Sequence, residues 1–296
     1  MVTLPLLNTP YSQLYKDVPT IDEVQGRTGG LPNNVNGKTR SRKQKLMYDL
    51  LGLLGIFTLV FLFYMILEPP VLYFRLDDTS LMYPFIPSNV SSALVALLSI
   101  LLPVFAIILF HIFFAWNKWD LVAGLYGAFL AYALSILITS TLWYFVGGLR
   151  PHFLTICKPD QNIISTWRGH PFYTTSVCSE RSQFTRDTFH GFPSGHASTS
   201  FAGCVFLSTY LAAHLRLYRN GNCFKLLLVI LPLICAIWLA TSRIVDHHHN
   251  PFQIFVGILI GIFSALYAYR LTFLDGFLFG YGKYAHVCYL HYGNPG

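Results

Sequence analysis

Six long apolar runs constrain this chain more than any other feature. Leu50 to Leu67, Ser91 to Ala115, Leu121 to Val146, Ala197 to Leu215, Phe224 to Thr241 and Pro251 to Tyr269 are nearly free of charge. At about 1.5 Å of rise per residue, each is long enough as a helix to cross a hydrocarbon core of roughly 30 Å. Backbone polar groups in lipid must find partners within their own segment, which favours helices. The expectation is an all-α integral membrane protein, a six-transmembrane-helix bundle. Composition agrees, with 54% hydrophobic and 11% charged residues among 296 and a mean hydropathy of +0.50, outside the profile of a soluble domain.

The net charge of +7 points away from nucleic acid, because the basic residues cluster beside apolar runs, where they set topology. Lys38, Arg40, Arg42, Lys43 and Lys45 precede the first run, Arg216, Arg219 and Lys225 lie between the fourth and fifth, and Arg270 follows the sixth. The positive-inside bias puts these on the cytosolic side together with both termini. Residues 1–45 are polar, lack apolar periodicity and read as a disordered cytosolic tail. No cleavable leader pattern is seen there, so the first span does the targeting. Residues 46–270 form the membrane domain. Residues 271–296 form an aromatic, Gly-rich C-terminal tail with no assigned role.

On this topology the break Trp116–Asp120 is a tight cytosolic turn that makes the second and third spans antiparallel. The interval 147–197 faces the lumen or the cell exterior. A loop that long inside a compact fold is more often functional than idle. It holds Cys157 and Cys178, which can pair if that side is oxidising and otherwise stay free. The first non-cytosolic loop carries a sequon, Asn89-Val90-Ser91.

Three polar stretches sit at the non-cytosolic ends of spans: Gly147-Gly148-Leu149-Arg150-Pro151, Phe189-His190-Gly191-Phe192-Pro193-Ser194-Gly195-His196, and Ser242-Arg243-Ile244-Val245-Asp246-His247-His248-His249. They gather arginines and histidines on the side where the topology rule disfavours basic residues. Ionisable groups at membrane depth default to a functional role. A Pro-Ser-Gly-His turn running into an apolar helix offers unpaired backbone N–H groups to an anion, and a guanidinium fork suits phosphoryl oxygens. A metal site at His247–His249 is disfavoured, because three consecutive residues cannot all face one ion from a helix or strand.

These stretches resemble the three signature motifs of the type 2 phosphatidic acid phosphatase superfamily, the lipid phosphate phosphatases. The pattern runs Lys-x6-Arg-Pro, Pro-Ser-Gly-His, Ser-Arg-x5-His-x3-Asp. Arg150-Pro151, Pro193–His196 and Ser242-Arg243 with His249 match in order and spacing. The resemblance, covering about residues 45 to 270, implies a phosphohistidine mechanism without metal or other cofactor, acting on a phosphomonoester or pyrophosphate lipid. His249 would be the nucleophile and His196 the general acid and base. Arg150, Ser194, Gly195, Ser242 and Arg243 would hold the phosphoryl oxygens.

Two positions depart from the pattern. Trp143 stands where the family has its lysine, and Gln253 where it has the aspartate that orients the nucleophile. Gln253 is expected to orient His249 through its amide carbonyl, without the charge. The departures leave reduced activity open. The alternative is a catalytically silent member that binds a lipid phosphate or a protein partner. A transporter would call for broken helices or mid-membrane charges, which the spans do not clearly show.

Overall fold

A computed structural model describes residues 35–87, 90–114, 118–166, 171–180 and 187–274. The chain divides into two units, Met1–Gln44 and Lys45–Gly296, and the packing that follows belongs to the second. The first helix, α1 (Val35–Ile66), starts inside the stretch expected as tail, where Lys, Arg and Gln are good helix formers. Residues 1–34 of that tail, Asn89 of the sequon, Trp116 and Asn117 of the turn, and the C-terminal tail from 275 onward lie outside the described residues.

The remaining membrane-length helices are α2 (Ser92–Phe114), α3 (Lys118–Phe145), α6 (Gly195–His214), α8 (Cys223–Val245) and α9 (Pro251–Tyr269). Short helices α4 (Phe153–Cys157) and α5 (Gln161–Thr166) lie between α3 and α6, and α7 (Leu217–Asn220) between α6 and α8. A single π turn, Arg270–Leu274, extends α9. Five helices among the described residues, α1, α2, α3, α8 and α9, are long and apolar enough to cross a membrane. The chain is an integral membrane protein with an all-α bundle.

The expected fourth span, α6, is not among the five. Its 20 residues suffice in length at about 1.5 Å each, but it carries Ser198, Thr199, Ser200, Ser208 and Thr209. Its position explains this, since α6 packs against α2, α3, α8 and α9 at once, so its hydroxyls meet protein rather than lipid. Ser198 pairs with Thr139 of α3 at 2.9 Å and Ser200 with Ser99 of α2 at 3.2 Å, while Ser208 donates to the Val229 carbonyl of α8 at 2.8 Å. Such interhelical bonds suit a membrane interior, where small residues also let backbones approach. A Cβ on Gly257 of α9 would fall 2.6 Å from the Ser194 carbonyl oxygen, so α9 lies directly on the start of α6. The outer helices expose Leu54, Phe61, Phe113, Leu231, Phe255 and Phe263, as lipid-facing surfaces should.

At the other end of α6, the Tyr210 hydroxyl donates to Asp120 Oδ2 at 3.0 Å, and His214 Nε2 lies 3.1 Å from the same oxygen. This ties α6 to the first turn of α3.

On the motif side, the loops build a small second core from Phe74, Phe153, Leu154, Val177 and Phe189 around a Cys157–Cys178 disulfide, which settles the open pairing. Phe74 and Tyr173 exchange backbone bonds at 2.9 and 2.8 Å, bringing the first loop onto the long one.

Candidate active site

The three polar stretches converge through main-chain bonds. Gly147, in the left-handed region at φ +66°, ends α3 as a glycine can, and the chain then runs beside the second stretch. Gly148 N–H donates to the Phe189 carbonyl at 2.9 Å, Arg150 N–H to Thr188 at 3.0 Å, and Gly191 N–H to Gly148 at 2.8 Å. The Phe192–Pro193 peptide is cis. Ser194 caps α6, accepting from Ala197 N–H, and its own N–H donates to the Gln253 carbonyl at 3.0 Å.

The third stretch turns by a Schellman motif. His248 N–H donates to the Arg243 carbonyl and His247 N–H to Ile244, each at 3.0 Å, with His247 left-handed at φ +54° in the place usually given to glycine. The helix α8 runs on to Val245 rather than ending at Thr241, so Ser242 and Arg243 belong to its last turn. Asn250 then opens α9 with a capping box to Gln253 and Pro251 at the first turn.

This geometry places the predicted residues as follows. His249 is buried, 2% exposed. Its Nδ1 donates to the Gly191 carbonyl at 2.9 Å and lies 3.2 Å from Gln253 Oε1. Its Nε2 is buried without a partner among the described residues, as is Nε of Arg150. The His196 ring centroid stands 6.3 Å from that of His249, and Arg150 and Arg243 both act on His196 electrostatically. Gly195 begins α6 beneath Trp143, whose ring would sit 2.6 Å from a Cβ there. The Trp143 indole N–H donates to the Pro193 carbonyl at 2.8 Å, and its face stacks on His190 at 5.2 Å. Trp143 therefore braces the turn mechanically and supplies no charge.

The geometry constrains two of the predicted phosphoryl holders. The Ser242 hydroxyl donates to the Leu239 carbonyl at 2.8 Å and accepts from Arg243 Nε at 3.2 Å, which leaves no hydrogen for a phosphoryl oxygen. Arg243 Nη2 lies 2.8 Å from both Asp246 Oδ2 and the Val90 carbonyl. That ion pair is enclosed, with side chains 1% and 0% exposed, so Asp246 serves Arg243 and does not replace the family's aspartate at His249.

Residues that sequence reasoning passed over complete the surround. Arg150 Nη1 donates to His248 Nδ1 at 3.3 Å, and His152 Nδ1 donates to the His247 carbonyl at 2.9 Å. From the first loop, Tyr83 lies against His247 at 4.5 Å and Phe85 meets His152 edge-on at 5.3 Å. The capping box in Asn250-Pro251-Phe252-Gln253 was a readable signal; the loop contacts had none. Burial foremost, with the Arg150 charge, holds His249 well below the usual histidine range and His248 down to about 4. Burial likewise lowers His152, and lowers Arg150 against the opposing pull of Asp187. A buried, neutral imidazole with one nitrogen anchored and the other unoccupied, beside an arginine with an unused donor, is equipped to attack an anionic electrophile.

A family model, the PAP2 superfamily, matches residues 124–276. The chain belongs to the PAP2 superfamily. The PAP2 match takes in most of α3, the long loop, α6, α8 and α9, and hence all three motif stretches. A PA-phosphatase related-family protein of Dictyostelium discoideum is 33% identical over 251 residues, 81% of this chain and 68% of that protein. Lipid phosphate phosphatase 1 of Arabidopsis thaliana is 32% identical over 70% of this chain and 62% of its own length. A protein of Schizosaccharomyces pombe named a probable diacylglycerol pyrophosphate phosphatase is 30% identical over 76% of this chain and 80% of its own length. No solved structure matches.

Proposed function

We propose that this PAP2 protein is a membrane lipid phosphate phosphatase, hydrolysing a phosphomonoester or pyrophosphate lipid through a phosphohistidine without a metal. The observation that carries this is the buried Nε2 of His249, which has no partner among the described residues while its ring is anchored through Nδ1. The relatives' names supply the substrate class.

The lone pair of His249 Nε2 attacks phosphorus, the bond from phosphorus to the lipid oxygen breaks, and His196, which takes up a second proton beside the bound phosphoryl anion, gives that proton to the departing alkoxide and becomes neutral. Water then surrenders a proton to His196 and attacks phosphorus. The P–N bond breaks, and its electrons return to Nε2. Arg150, with the N–H groups at the start of α6, stabilises the charge on the phosphoryl oxygens as it shifts. The basic residues at 38–45 and 216–225 support a cytosolic location for both termini and a lumenal or extracellular one for the site.

The test is phosphate release by purified protein from phosphatidate, lysophosphatidate, a sphingoid phosphate, diacylglycerol pyrophosphate and an isoprenyl pyrophosphate in mixed micelles, with chelator present. Release that His249→Ala abolishes is the expected result. A silent, lipid-binding member is the second reading, favoured by the uncharged Trp143; binding of these lipids with no release from any would establish it.

A further inference from the structure

His248 joins two of the motif stretches. Arg150 Nη1 lies 3.3 Å from its Nδ1. A guanidinium only donates, so Nδ1 accepts with its lone pair and the ring hydrogen sits on Nε2. Burial first, then the Arg150 charge, holds His248 down to about 4, and the ring is neutral around pH 7. It is also fixed in place. His152 meets it edge-on at 5.0 Å and Phe85 of the first loop at 6.0 Å, and its own backbone N–H donates to the Arg243 carbonyl at 3.0 Å. The same carbonyl accepts from His249 N–H at 3.2 Å. Consecutive residues of one turn thus carry the partner of Arg150 and the proposed nucleophile, and Arg150 acts electrostatically on both rings.

We infer that His248 is a positioning residue, whose Nδ1 lone pair holds the Arg150 guanidinium in register with His249 at the phosphoryl site. The inference rests on the proposed function, which takes Arg150 as a phosphoryl holder and His249 as the nucleophile. Holding by Nη1 leaves the guanidinium edge that carries Nε, which has no partner among the described residues, to meet phosphoryl oxygens as a fork. Without this bond, each ligand would have to order the long arginine side chain itself, at a cost in affinity. An uncharged acceptor suits the task. A carboxylate in its place would pair with the guanidinium and compete with the phosphoryl group for the same donors. The two predicted phosphoryl arginines are thus held differently, Arg243 by the Asp246 carboxylate at 2.8 Å and Arg150 by a ring, with the exposed Asp187 acting on Arg150 through its field.

The test measures binding of a long-chain alkyl phosphonate, a non-hydrolysable lipid phosphoryl group, to the full chain in mixed micelles by calorimetric titration at pH 7. His248→Asn puts an amide oxygen where Nδ1 lies, His248→Asp puts a carboxylate there, and His248→Leu removes the acceptor. The Asn variant should lose no more than about three-fold in affinity and the Leu variant about ten-fold or more. The Asp variant should bind at least as weakly as the Leu variant. In an Arg150→Ala background the difference between Asn and Leu should vanish, because the side chain at 248 then has nothing to hold. A difference that persists there would show that His248 acts by packing alone and would overturn the inference, as would equal binding by Asn and Leu with Arg150 present. If the Leu variant does not fold, the Asn and Asp variants, equal in shape, decide: binding by Asp as tight as by Asn overturns it. An effect of Arg150→Ala with none from any change at His248 removes this inference and leaves the proposed function standing. Affinity that Arg150→Ala leaves unchanged removes the phosphoryl site, and the proposed function with it.

Discussion

His249 donates its Nδ1 hydrogen to the carbonyl oxygen of Gly191 across 2.9 Å. A carbonyl oxygen only accepts, so the main chain fixes the tautomer and leaves the lone pair on Nε2. The second motif thereby orients the proposed nucleophile of the third, a task that the resemblance would give to an aspartate at the position of Gln253. Gln253 is a supporting contact. Its Oε1 also accepts from Asn250 N–H at 3.2 Å, and its Nε2 donates to the Leu149 carbonyl at 3.0 Å, so it links all three motifs.

Gln253→Ala should therefore lower kcat only about 10-fold, far from the roughly 10⁴ lost in a serine protease when an Asp→Asn change leaves the wrong tautomer. Gln253→Asp should raise kcat, because a carboxylate favours the cationic imidazole formed on phosphoryl transfer, though the bond to Leu149 is lost. Steady-state kinetics on the best substrate decide this. A loss above 10³ in the alanine variant would shift tautomer control from Gly191 to Gln253.

The contact between α9 and the start of α6 gives a second prediction. Gly257→Ala would place a methyl 2.6 Å from the Ser194 carbonyl and 3.1 Å from Ala197 Cβ, and neither backbone can retreat without moving the Pro193–Gly195 turn. Overpacking of this kind costs about 1–3 kcal/mol. Activity should fall at least 100-fold, since misplacement by about 1 Å costs on that order. Gly52→Ala, which meets nothing within 4 Å, should leave activity intact and gain up to about 1 kcal/mol. Equal behaviour of the two variants would show that α9 does not press on the turn.

What could be read in the sequence was what depends on long apolar runs and fixed motif spacing: the all-α bundle, and the approach of His196, His249, Arg150 and Gln253. What could not be read depends on side chains far apart in the chain. Nothing local tells that Asp246 closes on Arg243, that the Ser242 hydroxyl is spent on its own helix, or that Trp143 reaches Pro193 fifty residues on. The segment Ala197 to Leu215 reads as one more apolar run, and that its hydroxyls are answered by four neighbouring helices is not local information.

The third prediction concerns the disulfide. Cys157 and Cys178 are 21 residues apart, and closing a loop of that size stabilises by about 3 kcal/mol in the chain-entropy account. The double variant Cys157→Ser/Cys178→Ser should lower the midpoint of thermal unfolding in detergent. It should also raise KM more than it lowers kcat, because Phe189 in the same core precedes the turn that positions the cradle. In the unmodified protein both thiols should resist alkylation until reductant is added. Ready labelling of both without reductant would contradict the bridge.

Acid should destabilise this protein through its own site. His248 and His249 are held below the ordinary value of 6.5, His248 at about 4, chiefly by burial. Between about pH 6.5 and 4 the unfolded chain therefore binds protons that the folded one refuses. Stability rises with pH wherever the unfolded state holds more protons, so it must fall as pH drops through 6.5 and keep falling toward 4. For His248 alone the difference is at most roughly 3 kcal/mol, at about 1.4 kcal/mol per pH unit, and less once solvent screening is allowed for. Unfolding midpoints in detergent should drop markedly from pH 7.5 to 4.5. His248→Gln, whose amide oxygen can still accept from Arg150, should flatten part of that drop. Burial holds His249, the proposed nucleophile, well below the ordinary histidine range, so its protonation should weigh less on kcat at pH 5.5 than unfolding and other groups do. An unfolding midpoint that does not change between pH 7.5 and 4.5 would mean that these imidazoles are solvated or already charged, and the description of Nε2 as a buried, ready nucleophile would fail with it.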